Sequence, residues 1–149
     1  MGKAFGRVAA ALVSLAILAP VAVSAQGDAI ANRKADFQTL RKSLGEIKNV
    51  VDGKAGIETA TAPAQAMADV GKRLTSKVNF PAGSDKGDTK ALPLIWTDGA
   101  GFDKAAAGFN SGVGALVVAA NAKNLDGLKA AFGETAKACG VCHDTYRAK

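Results

Sequence analysis

The sequence predicts an all-α fold, an antiparallel four-helix bundle. Apolar residues recur at alternating steps of three and four in four segments of about 20 residues, the spacing that gathers side chains on one helix face. No segment shows a convincing strand alternation, and most links are short, which sets neighbouring helices antiparallel. The inward stripes are rich in Ala and Gly, and aromatic residues make up only 5% of the chain. Such small side chains leave room in a bundle core, where cofactors are often housed.

The chain has 149 residues and a net charge of +6. Its first seven residues carry Lys3 and Arg7, and the apolar run Val8–Val23 follows. Val23 and Ala25 supply small side chains at the −3 and −1 positions of a cleavage site, so the pattern is that of a secretory signal peptide. The run spans 16 residues and contains Pro20, short of the ~20 that a membrane-spanning helix needs. The expectation is export with cleavage after Ala25, leaving one domain, residues 26–149, with no membrane attachment. Losing Lys3 and Arg7 lowers the net charge from +6 to +4. Acidic residues are interspersed throughout and no Lys/Arg cluster forms a nucleic-acid face. The mild positive bias suits, at most, the steering of an acidic partner protein.

The first helix is expected over about Ala29 to Val51, with Ile30, Arg33, Phe37, Leu40, Leu44, Ile47 and Val51 inward, until "DGKAG" breaks it. The second is expected over Ile57 to Val78, along Ile57, Ala60, Ala64, Met67, Gly71, Leu74 and Val78. Pro63 falls near its first turn, a position proline tolerates. "NFPAGSDKGDTKALP" then has the Gly, Pro and Asp content of a loop. The third helix steps through Ile95, Asp98, Phe102, Ala106, Phe109, Val113, Leu116 and Ala120. Its five glycines, each about 1 kcal/mol worse than Ala in a helix interior, lead us to expect a late start or a bend. The fourth begins at Asn124, an N-cap with Asp126 in the first turn. It steps through Leu125, Leu128, Phe132, Thr135, Cys139, Cys142 and Tyr146.

Both cysteines and the single histidine of the chain lie in "CGVCH", on the inward stripe of the fourth helix. His143 is four residues after Cys139, so the two share a helix face. Cys-x-x-Cys-His is the attachment sequence for c-type haem. Two thiols at this spacing add across the two vinyl groups of the ring, and the adjacent imidazole reaches the iron as an axial ligand. Three alternatives stand beside it. A zinc site would need carboxylates to complete its ligand set. A thioredoxin-type pair belongs at a helix N-terminus in a βαβ setting, whereas this pair sits near a helix C-terminus in an all-α chain. A disulfide between residues three apart would close a tiny loop and constrain the unfolded chain little.

With that motif at the end of a four-helix chain, the sequence resembles the cytochrome c′ family, the class II c-type cytochromes, over essentially all of residues 26–149. "NLDGLKAAFGETAKACGVCHDTYRAK" is similar to the family's fourth helix, "AIANRKADF" to the first-helix segment over the distal face of the haem, and "GDTKALPLIW" to the loop entering the third helix. The resemblance implies a periplasmic protein with one covalent haem c, bound to Cys139 and Cys142, with His143 as the iron ligand. It also implies small diatomic gases, nitric oxide above all, as ligands, with a redox partner protein for electron transfer and homodimers as further expectations. It places Phe37 at the open axial position, where it cannot bind iron; the alternative is a plain core aromatic. Met67, the one methionine after the signal peptide, reads as a core gap-filler, with iron ligation in a low-spin electron carrier as the competing reading. Arg33 reads as a propionate partner or as a side chain reaching water at the bundle edge. Lys34 and Asp88 are further haem-edge candidates. Arg147 points to the proximal side or to the last carbonyls of its helix. Trp96 reads as a core residue. An enzyme is not expected, since no distal His or acid–base pair is available to cleave an O–O bond.

Overall fold

The computed structural model describes residues 19–149, with side-chain environments from residue 27 onward. The signal peptide expected over residues 1–25 therefore falls largely outside the described residues. Among the described residues, no helix is long and apolar enough to cross a membrane.

The fold is all-α, four long helices with no strand among the described residues. Helix α1 spans Ala19–Val51 among the described residues, so the chain is already helical ten residues before the expected Ala29. The helix ends as predicted at the "DGKAG" segment, where Gly53 takes a left-handed φ of +72°. The second segment is shorter than expected and is split. A 3-10 turn over Ile57–Ala60 leads into α2, Thr61–Thr75. Lys77 then adopts φ +54°, which turns the chain away and leaves Val78 60% exposed instead of inward.

The third segment is also split. A short helix α3, Leu94–Thr97, precedes α4, Gly99–Asn121. Asp98, expected on the inward stripe, is instead the N-cap of α4, and its carboxylate accepts the Gly101 N–H at 3.1 Å. Beyond that cap α4 runs on through all five of its glycines. Gly112 explains part of this tolerance. A Cβ built there would lie 2.8 Å from Thr135 Oγ1 and 3.1 Å from Thr135 Cα on the facing helix. The missing side chain lets two backbones approach closely, and the packing gained offsets the poor helix propensity.

Helix α5, Leu125–Tyr146, starts where predicted, with the Asn124 side chain accepting the Gly127 N–H at 3.0 Å. Leu125, the first expected inward residue, is 40% exposed because it sits in the opening turn above the core. The helices pack closely as the pairs α1–α2, α2–α4 and α4–α5, and the remaining pair, α1–α5, meets only loosely. One core cluster, including Ile47, Met67, Phe109, Leu116 and Leu128, fills the bundle. A second, of Phe80, Ile95, Phe102 and Tyr146, closes the end where the long loop meets the end of α5.

The glycines of α4 are separable by experiment. Gly112→Leu is expected to lower stability by about 1–3 kcal/mol through overpacking against Thr135. At Gly108 an added Cβ meets nothing within 4 Å, and Gly108→Ala is expected to raise stability by about 0.5–1 kcal/mol. Urea denaturation of the two variants measures both effects.

Candidate haem-binding site

Where α1 and α5 meet loosely, a cavity of about 510 Å³ opens between them, within the usual size range of cofactor pockets. Helix α5 contributes Cys139, Cys142, His143 and Tyr146, and Arg147 follows at its end. Helix α1 contributes Ile30, Arg33, Lys34, Phe37 and Leu40, while Met67 comes from α2 and Phe102 and Phe109 from α4. Phe80 and Thr89 belong to the loop that crosses the cavity's end. The structure thus brings together seven of the eight residues singled out in the sequence; Asp88 lies outside the lining.

Cys139 and Cys142 are half-buried free thiols. Burial pushes both upward in pKa, with the Cys139 charge adding to the effect at Cys142. They form no disulfide. Burial first, and then the nearby Arg147 charge, lowers the His143 pKa, with Asp144 opposing. The neutral imidazole, the form that binds a metal, is thereby favoured. The His143 ring faces the Phe37 ring edge-on across the cavity, with centroids 6.3 Å apart. Phe37 is 39% exposed and borders the cavity's open side. Met67 is fully buried and belongs to the bundle core as well as to the cavity wall. Among the described residues no three His, Cys, Asp or Glu side chains converge on a metal position, so the ligand set a zinc site requires is not assembled.

Arg33 does not reach for water. It is 4% exposed, and its guanidinium donates to Asn79 O at 2.8 Å, to Ser84 Oγ at 2.7 Å, to Ser84 O at 2.6 Å and to Thr89 Oγ1 at 3.0 Å. It also lies over the Phe80 ring at 5.1 Å. The snorkelling alternative is excluded, because the loop after α2 folds over the side chain. No carboxylate pairs with it among the described residues, and desolvation lowers its pKa. A buried cation whose hydrogen-bond partners are all neutral, set in the wall of a mostly apolar cavity, fits a ligand with a carboxylate at its edge. Together with the thiol pair and the imidazole on one face of α5, the donor set suits a haem.

The other edge candidates sit differently. Lys34 and Asp88 form an ion pair with each other at the surface. Arg147 ends α5 in extended backbone and forms an antiparallel bridge with Ala91. Leu92 N–H donates to Tyr146 O at 3.0 Å and Ala148 N–H to Lys90 O at 2.8 Å. The loop is thus clasped at both ends, by Arg33 and by the chain terminus. Trp96 packs on Phe80, and its Nε1–H donates to the Phe80 and Pro81 carbonyls at 3.0 and 3.1 Å.

Sequence reasoning missed two polar pairs beside the cavity. Asp36 on α1 accepts a forked pair of bonds from Arg73 on α2, with Nη2 at 2.6 Å and Nε at 3.0 Å, and another from Asn79 Nδ2 at 2.8 Å. Tyr146 donates its phenol proton to Asp98 Oδ2 at 2.7 Å. Both members of the second pair stood on expected inward stripes, and two polar groups on facing stripes were the available signal.

The sequence profile of the cytochrome c′ family matches residues 28–147. A cytochrome c′ from Rubrivivax gelatinosus is 35% identical over 125 residues, covering 83% of this chain and 96% of the relative. The crystal structure of a cytochrome c′ from the same organism superposes with a TM-score of 0.75 at 34% identity, covering 82% of this chain and 96% of that one. A nitric oxide complex of a variant cytochrome c′ from Alcaligenes xylosoxidans superposes with a TM-score of 0.75 at 30% identity, covering 83% and 97%.

The Tyr146–Asp98 bond gives a pH dependence. The hydrogen bond to Asp98, followed by burial and the Asp98 charge, pushes the Tyr146 phenol up to about 12, above its usual value near 10. Stability from this pair is therefore fully present below about pH 10 and is lost as pH rises through about 12. Denaturation midpoints across that window are expected to fall in the parent protein and to fall distinctly less in Tyr146→Phe.

Proposed function

The chain belongs to the cytochrome c′ family, and from that premise we propose that it is an exported, periplasmic haem protein that binds small diatomic gases, nitric oxide above all, at a five-coordinate iron. The cofactor of the family is a covalent haem c. When bound, it supplies the iron that takes the gas and changes oxidation state. In this reading Cys139 and Cys142 form the two thioethers and His143 is the single protein ligand to the iron. The observation that carries it is the placement of His143 opposite Phe37 across the α1–α5 cavity.

The roles of the chain's own residues follow from their chemistry. His143, its imidazole favoured in the neutral form, would hold the iron from the α5 side of the cavity. Phe37, facing it from α1, has no donor atom and would leave that side to a ligand small enough to pass its ring. An apolar, crowded entrance selects neutral diatomics and penalises polar or bulky ligands. Arg33 would pair with a carboxylate of the cofactor, giving its buried charge a partner. Electron exchange with a partner protein is the second activity this site supports, and catalysis is not proposed.

Met67 lines the same cavity, which keeps a low-spin, Met-ligated electron carrier as the second reading. The electronic spectrum of the oxidised and reduced protein separates the two. A high-spin spectrum that shifts on adding nitric oxide is expected. A low-spin spectrum abolished by Met67→Leu would overturn the five-coordinate reading. Replacing both Cys139 and Cys142 with Ser is expected to leave the haem extractable by acidic organic solvent. Phe37→Ala is expected to raise the association rate for carbon monoxide about tenfold or more, if removing the ring lowers the entry barrier by about 1.4 kcal/mol; flash photolysis measures it, and an unchanged rate would remove the gating role.

A further inference from the structure

Tyr146 is the only tyrosine in the chain and Trp96 the only tryptophan. These are the two side chains most readily oxidised by one electron, and both belong to the aromatic cluster at the cavity's end. The ring centroids run Tyr146–Phe102 at 5.5 Å, Phe102–Phe80 at 5.1 Å and Phe80–Trp96 at 6.2 Å. Tyr146 lines the cavity directly and stands one helical turn after Cys142 on the same face of α5. It also lines an open hollow on the outer surface between α4 and α5. Its ring is thus part of the wall between the haem cavity and solvent.

We propose that Tyr146 is a redox-active residue, an internal one-electron donor to the haem with Asp98 as its proton acceptor, which drains oxidising equivalents left by hydroperoxides. The inference rests on the haem reading above. Reducing one hydroperoxide to an alcohol (or water) and water takes two electrons and two protons. The bound haem would have to supply one of these electrons, and the Tyr146 ring gives the other. One proton leaves the phenol along its 2.7 Å bond to Asp98 Oδ2 and is made up at the site from solvent; the second also comes from solvent. The phenol becomes a neutral radical. No distal acid–base pair speeds cleavage of the O–O bond, so the event is protection against occasional oxidation and not turnover.

The surroundings decide between the two candidates. A tyrosine radical forms at accessible potential only if its proton can leave, and the Asp98 carboxylate is placed to receive it. Among the described residues the Asp98 carboxylate accepts two hydrogen bonds, from Gly101 N–H and from Tyr146, so it has capacity for that proton. Trp96 stands in the opposite field. The Arg33 guanidinium lies 5.9 Å from its ring centroid and 5.1 Å from that of Phe80. A cation there disfavours a second positive charge on either ring. Its indole N–H points at the backbone carbonyls of Phe80 and Pro81, which do not accept a proton. The electron hole therefore rests on Tyr146, beside the outer hollow between α4 and α5.

The test uses the holoprotein, mixed with an equivalent of hydrogen peroxide, freeze-quenched and examined by electron paramagnetic resonance. A tyrosyl signal is expected, and with one tyrosine its assignment is unambiguous. It should vanish in Tyr146→Phe and persist in Trp96→Phe. Asp98→Asn keeps a residue able to cap α4 but removes the proton acceptor, and it should lose most of the signal. Peroxide should bleach the haem faster in Tyr146→Phe than in the parent. A tryptophanyl signal, the absence of any radical, a haem spectrum unmoved by peroxide, or equal bleaching rates would each overturn the proposal. Haem absorbance on the denatured polypeptide reports separately on covalent attachment, so failure of the haem reading is distinguishable.

Discussion

The buried guanidinium of Arg33 is the constraint around which this end of the molecule is organised. Removing a cation from water costs several kcal/mol even after relaxation, and among the described residues its hydrogen-bond partners all lie outside α1. The compensation comes from the loop after α2, which wraps over the side chain and presents two carbonyls and two hydroxyls. Hydrogen bonds to a charged group are worth about 1.5–3 kcal/mol each, so four of them are of the right order to hold it. The loop's course is set by that demand. Asn79 passes the constraint on, accepting from Arg33 through its backbone while its side chain donates to Asp36. Asp36 in turn holds Arg73, so one polar chain ties α1, α2 and the loop together at the cavity rim.

The cavity itself follows from unequal packing around the bundle. Helices α4 and α5 approach closely because Gly112 faces Thr135 without a side chain, and α2 closes on α4 in the same way at Gly71, beside Asn110 and Phe109. Small residues draw those pairs together. Between α1 and α5 the facing residues Phe37, Leu40, Cys139 and His143 line the cavity instead. The space that results is bounded by thiols and imidazole on α5, and on α1 by apolar side chains such as Phe37 and Leu40 together with the charged Arg33 and Lys34. That asymmetry makes the site chemically directional.

How much of this was legible in the sequence depended on how local the cause was. The attachment motif, the Asn124 cap and the stop at residues 52–56 are local signals, and each element stands where expected. The misplaced boundaries have non-local causes. Asp98 satisfies the three-four spacing yet caps a helix, because a cap and an inward position differ only in backbone angle. Val78 also keeps the spacing, but Lys77 turns the chain before it. The burial of Arg33 could not be read from α1 alone, since its partners lie 46 to 56 residues away. The bonds of Tyr146 to Asp98 and of Asp36 to Arg73 join residues 48 and 37 apart. Periodicity identifies which face a side chain occupies and says nothing of which polar group it will meet there.

Charge placement also separates two sides of the cavity, and this bears on which of its rings loses an electron most readily. On the α1 side, Arg33 puts a positive charge behind Phe80 and Trp96. On the far side, Asp98 puts a negative one behind Tyr146. A field of this sense disfavours electron loss at the first pair of rings and favours it at the tyrosine. The same cation, if it meets a haem carboxylate, is largely neutralised, and its hold on Trp96 weakens accordingly. Loading the cofactor therefore changes the relative ease of oxidising the two residues. What keeps Tyr146 ahead in the loaded protein is the proton acceptor, which Trp96 lacks, and not the field alone.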